Sequence, residues 1–177
     1  MAEVTEQVAA AGLVNQSEVT LHSHPAGGGG PSTLKKIADQ IINGTAFQDI
    51  IGLAFPVGAN TDYAFKFYIV FRSASTSTGF KFAINGPAGA IVDYWCKYQT
   101  VANSITVGLA TWLERHSVVY DSMTVQTTTI TANVDLVCLI EGRIKVGATA
   151  GTLAARVASE LANNDLVVQK GSWGMYF

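Results

Sequence analysis

Two of the three histidines in this 177-residue chain lie close together, as His22 and His24. Residues two positions apart lie on the same side of an extended strand, so both imidazoles can face one partner. Neutral imidazole nitrogen is a common ligand of transition metals. Two ligands do not close a site in one chain, whereas three chains around a threefold axis supply an octahedral set. The spacing predicts a structural iron or other transition metal in a homotrimer, or else histidines that only hydrogen-bond near that axis.

The histidine pair belongs to residues 21–32, a stretch that also contains four consecutive glycines and two prolines. No helix or sheet interior tolerates this composition, so it predicts a boundary. We expect an N-terminal anchor segment at residues 1–20, a His- and Gly-rich collar or linker at 21–32 and a single domain at 33–177. The glycines do not form a phosphate-binding P-loop, because no Lys-Ser/Thr pair follows them.

Other side chains capable of chemistry are dispersed. Glu114, Arg115 and His116 are consecutive, and consecutive residues of a strand point to alternate faces, so a solvated strand end is expected. Cys96 and Cys138 lie in apolar, strand-like runs and are expected to be buried free thiols. No hydrolase or transferase motif accompanies these residues. We therefore expect no catalytic residues and no enzymatic activity.

The three tryptophans are the remaining candidates for ligand contact. Trp95, Trp112 and Trp173 could line a sugar-binding groove, and Trp112 is the one that we single out as ligand-binding. Burial in the core or at a subunit interface is the more common role of such residues.

The composition limits the classes of partner. Only 14% of the residues are charged, against about a quarter in a typical soluble domain, which indicates that surface is hidden in an oligomer. The net charge of −2 without a basic run argues against nucleic acid. No apolar run reaches the roughly 20 residues of a membrane span, and the N-terminus does not resemble a signal peptide.

The domain is expected to consist of strands. Residues 63–72 mix alternating polarity with aromatic and β-branched side chains, and residues 34–42 suit either a helical turn or a first strand. Short strands separated by Gly, Pro and Asn clusters are typical of an all-β sandwich or barrel. Further strands are predicted at 80–84, 94–98, 104–109, 117–120, 125–131, 134–140, 144–146, 152–158, 166–169 and 174–177.

Several linked motifs run through roughly three quarters of the chain. As a series they are fairly specific for one kind of domain, and far less specific for where that domain is located in a larger particle. They are GLAFPV at 52–57, AN at 59–60, YAFKF at 63–67, FAINGPAG at 82–89, EGRIKVGATAGTL at 141–153, RVASE at 156–160 and VQKGSW at 168–173.

This series resembles the C-terminal jelly-roll domains of tailed-bacteriophage fibre and other virion proteins. The resemblance implies a homotrimer of antiparallel jelly-roll sandwiches of about ten strands, similar to those of tumour necrosis factor and C1q. It also implies a histidine- and glycine-rich collar in front of the knob, which residues 21–32 resemble. The expected location is the virion, with assembly in the host cytoplasm.

The resemblance implies host attachment or decoration of the particle. Because only residues 1–32 precede the domain, a fibre tip or other tail-associated knob is expected, with a capsid-decorating head fibre or spike as the alternative. Expected partners are two further copies of the chain, other virion proteins bound through the N-terminal segment, and a host-surface glycan or protein. A carbohydrate-binding module and a depolymerase are further alternatives. No motif supplies the carboxylate pair that a depolymerase needs.

Overall fold

The structure is a computed structural model and describes residues 30–99, 112–123 and 130–177. These residues contain eleven strands and no helix, against the roughly ten strands expected. No helix in these ranges is long and apolar enough to cross a membrane. In chain order the strands are β1 (Ser32–Lys35), β2 (Gln40–Ile42), β3 (Gln48–Val57), β4 (Asp62–Ser73), β5 (Phe80–Asn85), β6 (Ile91–Gln99), β7 (Trp112–Ser117), β8 (Leu136–Lys145), β9 (Gly151–Ser159), β10 (Leu166–Val168) and β11 (Trp173–Tyr176).

The strands form two antiparallel sheets. Six strands of the larger sheet follow the order β1-β11-β4-β8-β6-β7, while β10 pairs with both β4 and β2. The smaller sheet has the order β3-β9-β5. Apart from β6 and β7, neighbours in these orders are not consecutive in the sequence, so the chain crosses between sheets repeatedly. The predicted all-β, antiparallel class is therefore confirmed.

Aromatic side chains from the two sheets meet between them. Phe55 of β3 stacks on Tyr176 of β11, with 3.9 Å between ring centroids. Phe71 of β4 lies 4.6 Å from Phe80 of β5. These contacts join the smaller sheet to the larger one, and the core is the layer between them.

Strand β4 shows why the alternating pattern predicts this arrangement. Phe65, Phe67, Ile69 and Phe71 are buried, whereas the residues between them are half-buried on the opposite face. Side chains in a strand alternate with a period of two, so one set of side chains enters the core and the other set faces outward. The prediction for residues 63–72 is confirmed almost to its ends.

Strand β8 corrects the prediction of two separate strands at 134–140 and 144–146. It is continuous through Gly142, which pairs with Phe65 of β4 and with Tyr94 of β6. A Cβ atom at residue 142 would lie 2.3 Å from the Asp93 carbonyl oxygen and 2.6 Å from the Tyr94 Cβ. The glycine permits close approach of β6 and does not mark a turn.

Strand β3 lies in a region for which the alternation pattern predicts no strand. Ile50 and Leu53 are both buried, and the two residues between them, Ile51 and Gly52, are both exposed. The pairing with β9 shifts between Asp49 and Ala54, and Gly52 has a φ of 87°. A bulge therefore interrupts the period of two and conceals the strand in the sequence pattern.

The predicted strand at 117–120 is wrong. Strand β7 ends at Ser117, and a bend and turn follow. The Val119 amide donates to the Ser117 Oγ at 3.1 Å, and that hydroxyl donates to the Val119 carbonyl at 3.0 Å. This local pairing occupies backbone groups that a ladder would use, so the β-branched pair Val118–Val119 lies exposed in a turn.

Residues 34–42 contribute to two short strands, β1 and β2, and form no helical turn. Of the predicted strand at 125–131 only residues 130 and 131 are described, and they are not in a strand. The predicted strand at 104–109 lies outside the described residues. The collar contributes Gly30, Pro31 and Ser32 to the described ranges, and β1 begins at Ser32.

We predict that Gly142→Ala lowers the free energy of unfolding by at least about 2 kcal/mol, because the new methyl group overlaps the backbone of β6. Gly30→Ala is the control, since no atom lies within 4 Å of the Cβ position there. Urea unfolding followed by circular dichroism measures both. Equal stability of the two variants would contradict the close packing of β6 on β8.

Candidate functional site

The outer face of the larger sheet, the face turned away from the core, carries side chains that align in rows across the strands. One row runs across all six strands of the main path because each of its members is the registered partner of the next. This Tyr68 row comprises Lys35, Trp173, Tyr68, Leu139, Lys97 and Glu114.

A second row lies two residues further along each strand. It differs from the first in having its exposed aromatic residue near the β7 edge of the sheet. This Trp95 row comprises Thr33, Met175, Lys66, Glu141, Trp95 and His116. The two rows place Trp173 and Trp95 on the same face and three strands apart, which is about 14 Å when measured across the strands.

The middle of the outer face is apolar. Tyr68 and Trp173 stack with 5.8 Å between ring centroids and 10° between ring planes, so each ring covers part of the other. Val70 and Val137 are registered partners beside it. All members of this apolar patch are half-buried, so each has surface left to bury against a partner. The apolar patch comprises Tyr68, Val70, Val137, Leu139, Trp173 and Met175.

The β6–β7 edge of the same face is polar and aromatic. Trp95 is 45% exposed, and its ring centroid lies 4.7 Å from that of His116. The His116 Nε2 lies 2.6 Å from the Asp93 Oδ1. Asp93 therefore fixes the imidazole, and the imidazole in turn supports one side of the indole.

The consecutive residues Glu114, Arg115 and His116 do not converge on one point. Glu114 forms a salt bridge of 2.7 Å with Lys97 on β6, and this contact raises the pKa of the lysine. His116 contacts Asp93, as described above. Arg115 is the registered partner of Cys96 but is exposed, and its Nη1 donates to the Glu114 carbonyl at 3.4 Å. Each group has its own partner, as expected for a solvated strand.

Both cysteines are buried and free, as predicted. Burial, together with the adjacent Cys96 thiol, raises the pKa of Cys138 well above its usual value. The Cys96 Sγ lies 3.7 Å from the Phe82 carbonyl oxygen inside the core. A buried, protonated thiol is a poor nucleophile, so Cys138 has a packing role.

The structure describes the side chains of two of the three tryptophans, Trp95 and Trp173. Trp95 and Trp173 are partly exposed on the outer face and do not belong to the core. Trp112 is the first residue of β7, but its side chain lies outside what the structure describes. His22 and His24 also lie outside the described residues, so the metal site at these residues stays a prediction. Within the described ranges, no group of three or more potential metal ligands occurs.

A polar cavity of about 260 Å³ on the smaller sheet was not foreseen from the sequence. The Arg156 Nη2 donates to the Phe47 carbonyl at 2.7 Å, and the Nη1 donates to the Asp121 Oδ2. Its Nε lies 2.8 Å from the Asp49 Oδ1, out of line for a hydrogen bond. Asn85 also donates to Asp121, at 2.6 Å. Two carboxylates balance the guanidinium, which fastens the turn after β7 to the smaller sheet.

Comparison of the chain with protein-family models, with curated proteins and with solved structures finds no match. The outer face of the larger sheet is the surface with the largest set of aligned, partly exposed apolar side chains in the described part of the chain. We take this face as the candidate functional site.

Tyr94 leads to a prediction on pH. Its hydroxyl donates to the Val119 carbonyl at 3.2 Å, and burial raises its pKa to about 12. A pKa that is higher in the folded than in the unfolded chain gives stability that is complete below about pH 10 and declines towards about pH 12. We predict that Tyr94→Phe makes the alkaline decline of the unfolding free energy shallower by about 1–2 kcal/mol.

Urea titrations between pH 8 and pH 11.5 test this prediction. Tyr68→Phe on the outer face is the matched control, because it removes a hydroxyl that is not in the core. The same alkaline slope in the wild type and in Tyr94→Phe would contradict the assignment.

Proposed function

We propose that the protein is a homotrimeric jelly-roll knob of a bacteriophage virion. Its role is structural and non-enzymatic, at a tail or fibre tip used in host attachment. The main support for the proposal is the apolar patch, which crosses β11, β4 and β8 on the outer face of the larger sheet and suits contact between subunits. The motifs that resemble virion knobs support the same assignment. YAFKF forms part of β4, and EGRIKVGATAGTL extends from β8 into β9.

The apolar patch suits contact with copies of the same chain. A closed ring of three uses the same surfaces of every copy, so an apolar patch that each copy carries can be covered in all three. The scarcity of charge in the chain, 14% of residues, agrees with a surface that becomes covered. At about 25 cal/mol per Å² of apolar area, burial over a few thousand Å² is sufficient to offset the entropy of association.

The charged groups around the patch support a binding role over a catalytic one. Lys97 is paired with Glu114, Lys66 with Glu141 at 3.4 Å, and Arg72 with Asp135 at 2.7 Å. These pairs connect neighbouring strands across the face. Such partners neutralise the edges of an interface without preparing an acid or a base for proton transfer.

The collar gives a second test of the trimer. His22 and His24 of three chains would surround one iron or other transition metal on the threefold axis and hold the chains in register. Elemental analysis of the purified protein then gives one metal atom per three chains, and removal of the metal by a chelator lowers the melting temperature. A trimer that contains no metal would contradict the metal site and leave hydrogen bonding near the axis as the role of His22 and His24.

We predict that Leu139→Lys converts the trimer into monomers, because the lysine places a charge in the middle of the apolar patch. Thr152→Lys is the matched control, since Thr152 is exposed on the smaller sheet. Sedimentation velocity measures both variants, and circular dichroism verifies that both fold. A wild-type monomer, or a Leu139→Lys variant that remains trimeric, would contradict the proposed interface.

The location in the particle needs a separate experiment, because a capsid-decorating head fibre uses the same trimer. Antibodies against the domain at residues 33–177 can be applied to intact particles and located by negative-stain electron microscopy. Label at the tail tip supports host attachment. Label on the capsid faces overturns the tail assignment and supports decoration of the head.

A further inference from the structure

We propose that the β6–β8 end of the outer face binds a carboxylate-bearing saccharide. The saccharide site consists of Trp95, Asp93, Arg143 and Lys145. It includes a cavity of about 290 Å³ between the ends of β4, β6 and β8. The proposal concerns residues that the apolar patch does not use, and it does not depend on the trimer.

Trp95 provides the platform of the saccharide site. Trp95 is 45% exposed, so a sugar ring can stack on its indole. Its position is constrained by His116, which Asp93 holds through the 2.6 Å contact. A supported and exposed indole beside polar groups is suited to the mixed apolar and hydroxylated surface of a sugar.

Arg143 and Lys145 supply positive charge beside this platform. Both are exposed at outward positions of β8, and both line the cavity. Arg143 is the registered partner of Asp93, which makes it a diagonal neighbour of Trp95 across β6 and β8, at about 7–8 Å between Cα atoms. Neither cation forms a salt bridge or a side-chain hydrogen bond within the described part of the chain.

Two of the three nearby carboxylates are already in ion pairs with other side chains. Glu141 is paired with Lys66, and Asp93 with His116. Asp62 is the registered partner of Lys145 at the rim of the cavity. The Arg143 guanidinium therefore retains its planar set of donors, which matches a carboxylate in two parallel hydrogen bonds. This favours an acidic sugar, such as a hexuronate or a sialic acid, over a neutral one.

The remaining groups around the cavity fit the same ligand. Ile91 is 68% exposed at the rim and offers an apolar contact to the carbon face of a second sugar ring. Ala64, the other registered partner of Arg143, is small and exposed, so it leaves room above the guanidinium. The arrangement can therefore hold one ring on Trp95 and a carboxylate at Arg143.

Isothermal titration calorimetry of the full chain tests the proposal. The probes are tetragalacturonate, its fully methyl-esterified form and a sialic acid trimer, all in calcium-free buffer. Methyl esterification removes the charge and preserves the sugar backbone. We expect at least one of the two acidic probes to bind. If this is tetragalacturonate, its methyl ester binds at least tenfold more weakly. Absence of binding by both acidic probes would overturn the proposal, as would equal affinity for tetragalacturonate and its methyl ester.

Variants assign the binding to the site. Arg143→Gln is expected to weaken acidic binding at least tenfold, and Arg143→Lys to restore part of it. Trp95→Ala is expected to weaken binding of every probe that binds the wild type. Lys35→Gln is the matched control, because Lys35 is an exposed cation at the opposite edge of the same face. Equal losses in Lys35→Gln and Arg143→Gln would indicate a general charge effect and overturn the site.

The saccharide site and the trimer interface can be tested independently of each other. Sedimentation velocity of Arg143→Gln and Trp95→Ala is expected to give the oligomeric state of the wild type, because neither residue belongs to the apolar patch. Loss of saccharide binding with the assembly intact supports a distinct saccharide site. Dissociation of both variants would show that these residues belong to the subunit interface, and would overturn the saccharide site.

Discussion

The packing of aromatic side chains between the two sheets is the constraint on which the rest of the molecule depends. Phe67 and Phe71 of β4 enter the core, and contacts such as Phe55–Tyr176 and Phe71–Phe80 hold the smaller sheet against the larger one. Because side chains in a strand alternate, burial of one set determines which residues face outward. The residues between the buried ones form the outer face, and the pairing of the strands aligns their side chains in rows.

The outer face has two parts with different chemistry. Its middle is apolar, with the Tyr68–Trp173 stack at its centre. Its β6–β8 end carries the exposed Trp95 with Arg143 and Lys145 nearby. A virion knob of the proposed kind needs both a surface that holds the copies together and surfaces that remain accessible. Repetition of an accessible site in three copies lets weak contacts with a multivalent cell surface act together.

Much of the fold could be predicted from the sequence, because an alternating pattern such as that of β4 directly reflects a half-buried strand. The prediction fails where local structure breaks the period. The bulge at Gly52 interrupts the alternation of β3, so the sequence pattern does not reveal this strand. Gly142 looks like a turn residue in the sequence, but it allows two strands to approach closely. The hydroxyl of Ser117 ends β7 earlier than its β-branched neighbours suggest. The candidate site was harder to predict. Trp95 and Trp173 share a face only because β11 pairs with β4, a long-range pairing that no local pattern encodes.

In the proposed assembly, copies of the chain cover the apolar patch and leave the Trp95 end accessible. Hydroxyl-radical footprinting of the assembled protein, read residue by residue by mass spectrometry, tests it most directly. We expect slow oxidation of Trp173, Tyr68 and Met175 in the assembly, fast oxidation of Trp95, and an increase at the first three alone when the assembly is dissociated. Rapid oxidation of Trp173 and Met175 in the assembled protein would contradict it.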